Sequence, residues 1–146
     1  QLKLTKPVPR NVAYHDPCNI ARQRWIINQP REILKSFFKN YVEMTPNGEN
    51  NICCGGGGGT VSIDEIRPYR TTVGGKLKAD QIRKSGCEIL VAPCANCKKQ
   101  LRELVEDQGI DCQVVGLHDL IYKAIIFDDS LIEKEEAKSE SLPEGI

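Results

Sequence analysis

The sequence predicts an α/β fold: a four-stranded, mainly parallel sheet flanked by helices, in one domain. Three observations carry this expectation. Short β-type apolar runs alternate with longer helical stretches along most of the chain. The clearest strand, residues 88–92 (EILVA), lies between two helical segments and is ended by Pro93. A length of 146 residues suits one domain with a real core.

The elements follow in order. Residues 12–16 (VAYHD) read as the first strand, stopped by Pro17. Residues 22–39 read mainly as helix, with Ile26, Ile27, Ile33, Leu34, Phe37 and Phe38 apolar and Pro30 a break or a fresh first helical position. Trp25 and the Phe37–Phe38 pair read as core. Residues 41–44 form the second strand, and 45–60 a loop rich in Asn and Gly that ends in CCGGGGGT. Residues 68–84 read as helix weakened by Gly74 and Gly75. The third strand is 88–92. An amphipathic helix spans 95–108, with Leu101, Leu104 and Val105 on one face and Gly109 as its stop. Residues 111–115 form the fourth strand and 118–127 the last helix. Residues 1–11 read as a linker from an upstream domain, 12–128 as the domain itself, and the polar 129–146 as a disordered tail.

Composition excludes several partners. Lys plus Arg and Asp plus Glu balance at 20 each, so no net field favours nucleic acid or an anionic membrane. No apolar run approaches the roughly 20 residues of a membrane helix. The start, QLKLTKPVPRN, is mixed and proline-broken, unlike a signal peptide, and its Gln at position 1 suggests a piece of a longer chain. Seven cysteines grouped as single, vicinal pair and CxxC do not resemble a secreted disulfide framework, and a reducing cytoplasm fits better.

Five of those cysteines are placed for chemistry. Cys18 follows the first strand, Cys53-Cys54-Gly55 lies in the loop after the second, and Cys94 and Cys97 follow the third and open its helix. In a parallel sheet with right-handed crossovers, all strand C-termini share one edge, where ligands bind. The five thiols therefore converge, although they run from position 18 to position 97. Adjacent cysteines rarely reach disulfide geometry. Five ligands exceed a tetrahedral zinc site, and thiolates suit iron–sulfur groups. A helix N-terminus at the CxxC stabilises thiolate; that unit alone also fits a thioredoxin-like dithiol. Gly55 to Gly59 could be a linker or a phosphate loop, but no Gly-Lys-Ser/Thr ending follows. Glycines such as Gly55 and Gly56 let the backbone approach sulfides, aim N–H donors at them and leave room for a substrate.

The remaining candidates are ambiguous. Cys87 and Cys112 read as core thiols, reserve ligands only. His15 is a strand-end histidine bonded to backbone, or a donor to the metal group and proton source for a leaving thiolate. His118 reads as structural. Lys98 and Lys99 read as a solvated face that could attract an acidic partner.

The pattern Cys18, Cys53-Cys54-Gly55 and Cys94-x-x-Cys97 resembles the cysteine-rich CCG domain. Tyr14-His15-Asp16-Pro17-Cys18 and Val91-Ala92-Pro93-Cys94 resemble its strand-end signatures, and the likeness runs over residues 12–127. That domain occurs in the B-type subunit of heterodisulfide reductase and in iron–sulfur subunits of glycolate and lactate oxidation. The glycine run and Asn19-Ile20-Ala21-Arg22 look most like the K-type subunit (DsrK, or HmeD) of the membrane complex linked to dissimilatory sulfite reduction. The resemblance implies that Cys18, Cys53, Cys54, Cys94 and Cys97 hold a noncubane [4Fe–4S] cluster that cleaves a disulfide one electron at a time. It implies as substrate a disulfide or trisulfide, reduced or oxidised, on a small sulfur-carrier protein of the DsrC type, with quinone-reactive membrane subunits as electron partners. It places the domain in the cytoplasm, peripheral on the inner membrane face through those subunits, with no direct insertion. Two features depart from the pattern: Asn19 stands where many relatives have His, and the Cys54–Cys94 spacing is a little long. With one five-cysteine set where the B-type subunit has two, a two-cluster mechanism does not carry over. A non-catalytic electron relay and a structural zinc module, or zinc as a substitute in an aerobic preparation, are the rival readings.

Overall fold

Alternation along the strands decides the architecture. In the computed structural model, which describes residues 3–4 and 8–126, Val12 and Tyr14 face one apolar cluster and Ala13 the other. Ile89 and Val91 likewise oppose Leu90 and Ala92. Strands buried on both faces need helices on both faces, which is the parallel α/β solution.

The elements are β1 (Lys3–Leu4), β2 (Val8–Tyr14), α1 (Cys18–Ala21), α2 (Asn28–Phe37), β3 (Phe38–Tyr41), α3 (Arg67–Thr72), α4 (Lys76–Ser85), β4 (Ile89–Val91), α5 (Ala95–Asp107), β5 (Gln113–Val115), α6 (Leu117–Ala124) and β6 (Ile125–Ile126). The main sheet is all parallel, in the order β3-β2-β4-β5. Leu34 and Phe37 of α2, with Leu117, Leu120 and Ile121 of α6, cover one face. Ala79 and Ile82 of α4, with Leu101, Leu104 and Val105 of α5, cover the other. Chain order reverses between β2 and β4, so the crevice at their C-terminal ends is the topological switch point of a doubly wound sheet. No helix among the described residues is long and apolar enough to cross a membrane.

The expected fold class holds, and several boundaries move for physical reasons. The first strand starts at Val8, so residues 8–11, read as linker, belong to the sheet. Pro9 and a register irregularity between Val8 and Asn11 hide that part of the strand from an alternation pattern. The expected helix over 22–39 is two helices, α1 and α2, parted by a turn in which Arg24 adopts φ 60°. Pro30 lies in the first turn of α2, where its missing N–H costs nothing. Trp25 falls in that turn and is 68% exposed, so its assignment to the core is corrected. The second strand begins at Phe38, directly after α2, three residues before its expected start. The last helix stops at Ala124, and residues 125–126 pair antiparallel with Lys3–Leu4. The expected tail at 129–146 lies outside the described residues.

Gly74 and Gly75 split the expected helix over 68–84 into α3 and α4. At Gly75 a Cβ would press on Leu104 Cδ1 and approach the Arg70 and Thr71 carbonyl oxygens to 2.9 Å. The glycine therefore lets the α3–α4 joint lie against α5. Gly75→Ala should destabilise the domain by about 1–3 kcal/mol through overpacking, measured by denaturant unfolding.

Candidate metal centre

The site is built where β2 and β4 end. His15 extends the β2 ladder by donating its N–H to Val91 O at 2.8 Å. Pro17 then turns the chain, and Cys18 opens α1. Cys94 caps α5, its backbone extended, and the carbonyl of Cys94 accepts from Lys98 N–H at 2.8 Å. Cys97 therefore sits in the first turn of a 13-residue helix, near its partial positive end.

The vicinal pair arrives by a loop that is held at several points. Asp16 is buried and accepts a two-pronged hydrogen bond from Arg31, at 2.9 and 2.7 Å. Arg31 also binds Glu43 at 2.7 Å and the Ile27 carbonyl at 2.6 Å, and its guanidinium lies 5.4 Å from the Tyr14 ring centre. Asp16 Oδ2 accepts the Gly48 N–H at 2.8 Å, while Asn51 donates to Gly48 O and accepts from Arg22 through its own carbonyl. The segment leading into Cys53 is thus tied to the turn that carries Cys18.

The thiols gather around one close pair. Cys54 Sγ and Cys97 Sγ are 3.2 Å apart and buried. Cys18 lies within hydrogen-bonding influence of Cys53, and Cys94 within that of Cys97. Cys18 and Cys53 are thus one neighbouring pair, and Cys94 adjoins the buried Cys54–Cys97 contact. Gly55 N–H points at Cys53 Sγ (3.3 Å) and Gly56 N–H at Cys54 Sγ (3.4 Å). These are the backbone donors expected of the glycine run. Gly55 has φ 85°, which suits glycine alone. A Cβ at Gly56 would come within 2.8 Å of Gln100 Cβ and 2.9 Å of Val61 Cγ1, whereas Gly57, Gly58 and Gly59 face open space.

Electrostatics polarises the set. The hydrogen bond shared with Cys97, then His15 and the Gly56 N–H, holds the Cys54 thiol well below its ordinary value, and the same contact together with burial pushes Cys97 up. Burial raises Cys53, against the Gly55 N–H. Burial lowers His15, against its hydrogen bond with Cys54. The ligand atoms of His15, Cys54 and Cys97 all lie within 4.8 Å of one another.

Sequence reasoning missed three parts of this site. Lys78 is fully buried with Cys54, Cys53, Asp16 and Cys97 as electrostatic neighbours, and burial pulls its ammonium down to about 8. Its signal was position: it is one turn before Ile82, on the inward face of α4. Gln100 and Arg70 are also buried, and hydrogen bonds from Arg70 to Gln100 and Glu103 brace α3 against α5 beside Gly56. The third part is the Asp16–Arg31 clamp, whose members are 15 positions apart.

Other candidates lie elsewhere. Cys87 and Cys112 face each other at 3.6 Å near the opposite, N-terminal ends of β4 and β5. His118 pairs with Asp119 at the surface, as does Lys98, and Lys99 donates to Val61 O.

Comparison with known proteins places the arrangement. The family model of the cysteine-rich domain, CCG, matches residues 12–102. The chain belongs to the CCG cysteine-rich domain family. It is 35% identical over 118 residues to the B-type subunit of fumarate reductase (CoM/CoB) of Methanothermobacter marburgensis, covering 80% of this chain and 23% of that protein. It is 34% identical over 118 residues to Hdr-like menaquinol oxidoreductase iron-sulfur subunit 2 of Archaeoglobus fulgidus, covering 77% and 21%. It is 28% identical over 126 residues to the D-type subunit of the dihydromethanophenazine:CoB–CoM heterodisulfide reductase of Methanosarcina barkeri, covering 86% and 30%. The chain thus spans less than a third of the length of these relatives. No solved structure gives a significant match.

The residues of this CCG domain fit a thiolate-bound iron–sulfur group. The donor set is soft and larger than a tetrahedral ion takes. The buried His15 Nδ1 has no hydrogen-bond partner, and the glycine turn beside the thiols opens on space. The scaffold that gathers them is testable. Arg31→Met should cost about 3–5 kcal/mol by leaving Asp16 buried and unpaired, seen as a lowered denaturation midpoint.

Proposed function

We propose that this CCG domain is the disulfide-handling iron–sulfur part of a heterodisulfide-reductase-like oxidoreductase. One observation carries the reading: five thiols gathered at the switch-point edge around the 3.2 Å Cys54–Cys97 contact, with two glycine N–H groups aimed at Cys53 and Cys54. Cys18, Cys53, Cys54, Cys94 and Cys97 would hold a [4Fe–4S] group of noncubane type. Bound there, it supplies electrons singly to a disulfide, whose S–S bond takes two electrons and two protons to give two thiols.

The chain's own residues do the rest. Gly55 and Gly56 donate to sulfur and spread negative charge into the backbone. Gly57 to Gly59, with no side chains, form the mouth through which a substrate sulfur reaches the thiols. His15, bonded to Cys54 at one end, is the group placed to relay a proton to the leaving thiolate. The substrate is a disulfide or trisulfide on a small sulfur-carrier protein of the DsrC type, whose terminal cysteines can approach over the open glycine turn. Quinone-reactive membrane subunits of the same complex supply electrons, and the domain works on the inner membrane face through them. The glycine run and the Asn19-Ile20-Ala21-Arg22 segment favour a K-type subunit.

The ligand assignment has a direct test. Cys53→Ala and Cys54→Ala should abolish iron–sulfur assembly in anaerobically prepared protein, whereas Cys112→Ala should leave iron content nearly unchanged. Equal iron loss in all three would overturn the ligand set, and a site that binds four-coordinate zinc without sulfide would favour the structural zinc reading. His15→Gln should keep its iron and lower disulfide turnover by about 100-fold. Unchanged turnover would leave His15 without a proton role and favour simple electron relay.

A further inference from the structure

The largest fully buried side chain among the described residues is a lysine. Lys78, in the first turn of α4, is 1% exposed. Buried ammonium groups ordinarily sit against carboxylates, because an unpaired ion in the interior costs several kcal/mol. Lys78 does not. Its Nζ donates to the neutral Gln81 Oε1 at 2.5 Å, and Gln81 is itself held by donating to the Pro46 carbonyl. Asp16, the nearby acid, is already taken by Arg31 and the Gly48 N–H. The other two buried cations have carboxylate partners: Arg31 pairs with Asp16 and Glu43, and Arg70 with Glu103. Among the described residues Lys78 is thus the buried cation with no carboxylate of its own, and its electrostatic neighbours are Cys54, Cys53 and Cys97 beside the already paired Asp16.

Its missing counter-ion is the thiol site. Cysteines bind metal groups as thiolates, so a loaded site carries negative charge that grows by one when an electron is added. A fixed positive charge in a dry interior favours the more negative state. Net charge is one of the factors that set the potential of a thiolate-bound iron–sulfur group. We propose that Lys78 is the charge-compensating residue of this centre, stabilising its reduced state and so raising its reduction potential. This inference rests on the iron–sulfur reading above. Lys78 is a positioning charge rather than a ligand or a proton carrier.

The test is a redox titration followed by EPR on anaerobically purified full-length protein, with iron, sulfide and circular dichroism measured in parallel. Lys78→Met should disfavour reduction at least tenfold, a shift of 59 mV or more to lower potential for one electron. Lys78→Arg, which keeps the charge, should stay near the wild type. Gln81→Glu, which sets a carboxylate against the ammonium, should shift the potential in the same direction as Lys78→Met. Loss of iron from a folded Lys78→Met protein, with iron retained by Lys78→Arg, also supports the charge role. If Lys78→Met does not fold, Gln81→Glu carries the test alone. A folded, iron-loaded Lys78→Met or Gln81→Glu protein with the wild-type potential overturns the inference by itself. A wild type that holds neither iron nor sulfide overturns the reading of the site, and this inference with it.

Discussion

Asp16 is the point on which the site depends. Its carboxylate accepts both prongs of Arg31 from α2 and the Gly48 N–H from the loop that leads to Cys53. It also lies two positions before Cys18. One buried acid therefore fixes the turn bearing the first thiol, the helix beneath it and the path of the vicinal pair. A surface ion pair could not do this, because solvent screening leaves such pairs nearly worthless. Buried, hydrogen-bonded on both oxygens and matched by the guanidinium fork, the pair specifies one arrangement and penalises any other.

Gathering thiols creates an electrostatic problem that the surroundings solve in layers. Cys54 and Cys97 are hydrogen-bonded across 3.2 Å, where two adjacent buried thiolates would repel each other. The Gly55 and Gly56 amides meet two further sulfur lone pairs. The start of α5 adds its partial positive charge beside Cys94 and Cys97. Lys78 supplies the remaining full positive charge from α4, which packs on the same sheet face as α5. The surroundings are arranged to offset negative charge gathered on these thiols.

How much of this was legible in the sequence depended on whether the signal was local. Strand β4 and helix α5 could be read because 88–92 is a short apolar run ended by proline and 95–108 has a clear apolar stripe. The convergence of Cys18, Cys53, Cys54, Cys94 and Cys97 followed from topology, since parallel strands put their C-terminal ends on one edge. The early start of β2 was hidden by Pro9, and the α1–α2 break by apolar residues such as Trp25 and Ile26 that turn out to be exposed. Lys78, Gln100 and the Asp16–Arg31 pair were invisible for a different reason. Their burial depends on partners distant in sequence, and a charged residue in KLKADQIRK reads as solvated until the helix face is known.

The relatives share this domain as a small part of longer proteins, and their names include an iron-sulfur subunit and a component of a heterodisulfide reductase. What distinguishes the account from a structural zinc module or an inert thiol cluster is the identity of the group that the five cysteines hold. The most direct measurement is iron and acid-labile sulfide per chain, with the EPR spectrum, in wild-type protein purified without oxygen. The account predicts about four iron and four sulfide per chain and a paramagnetic signal that responds to a disulfide substrate. One zinc per chain with no sulfide would contradict it.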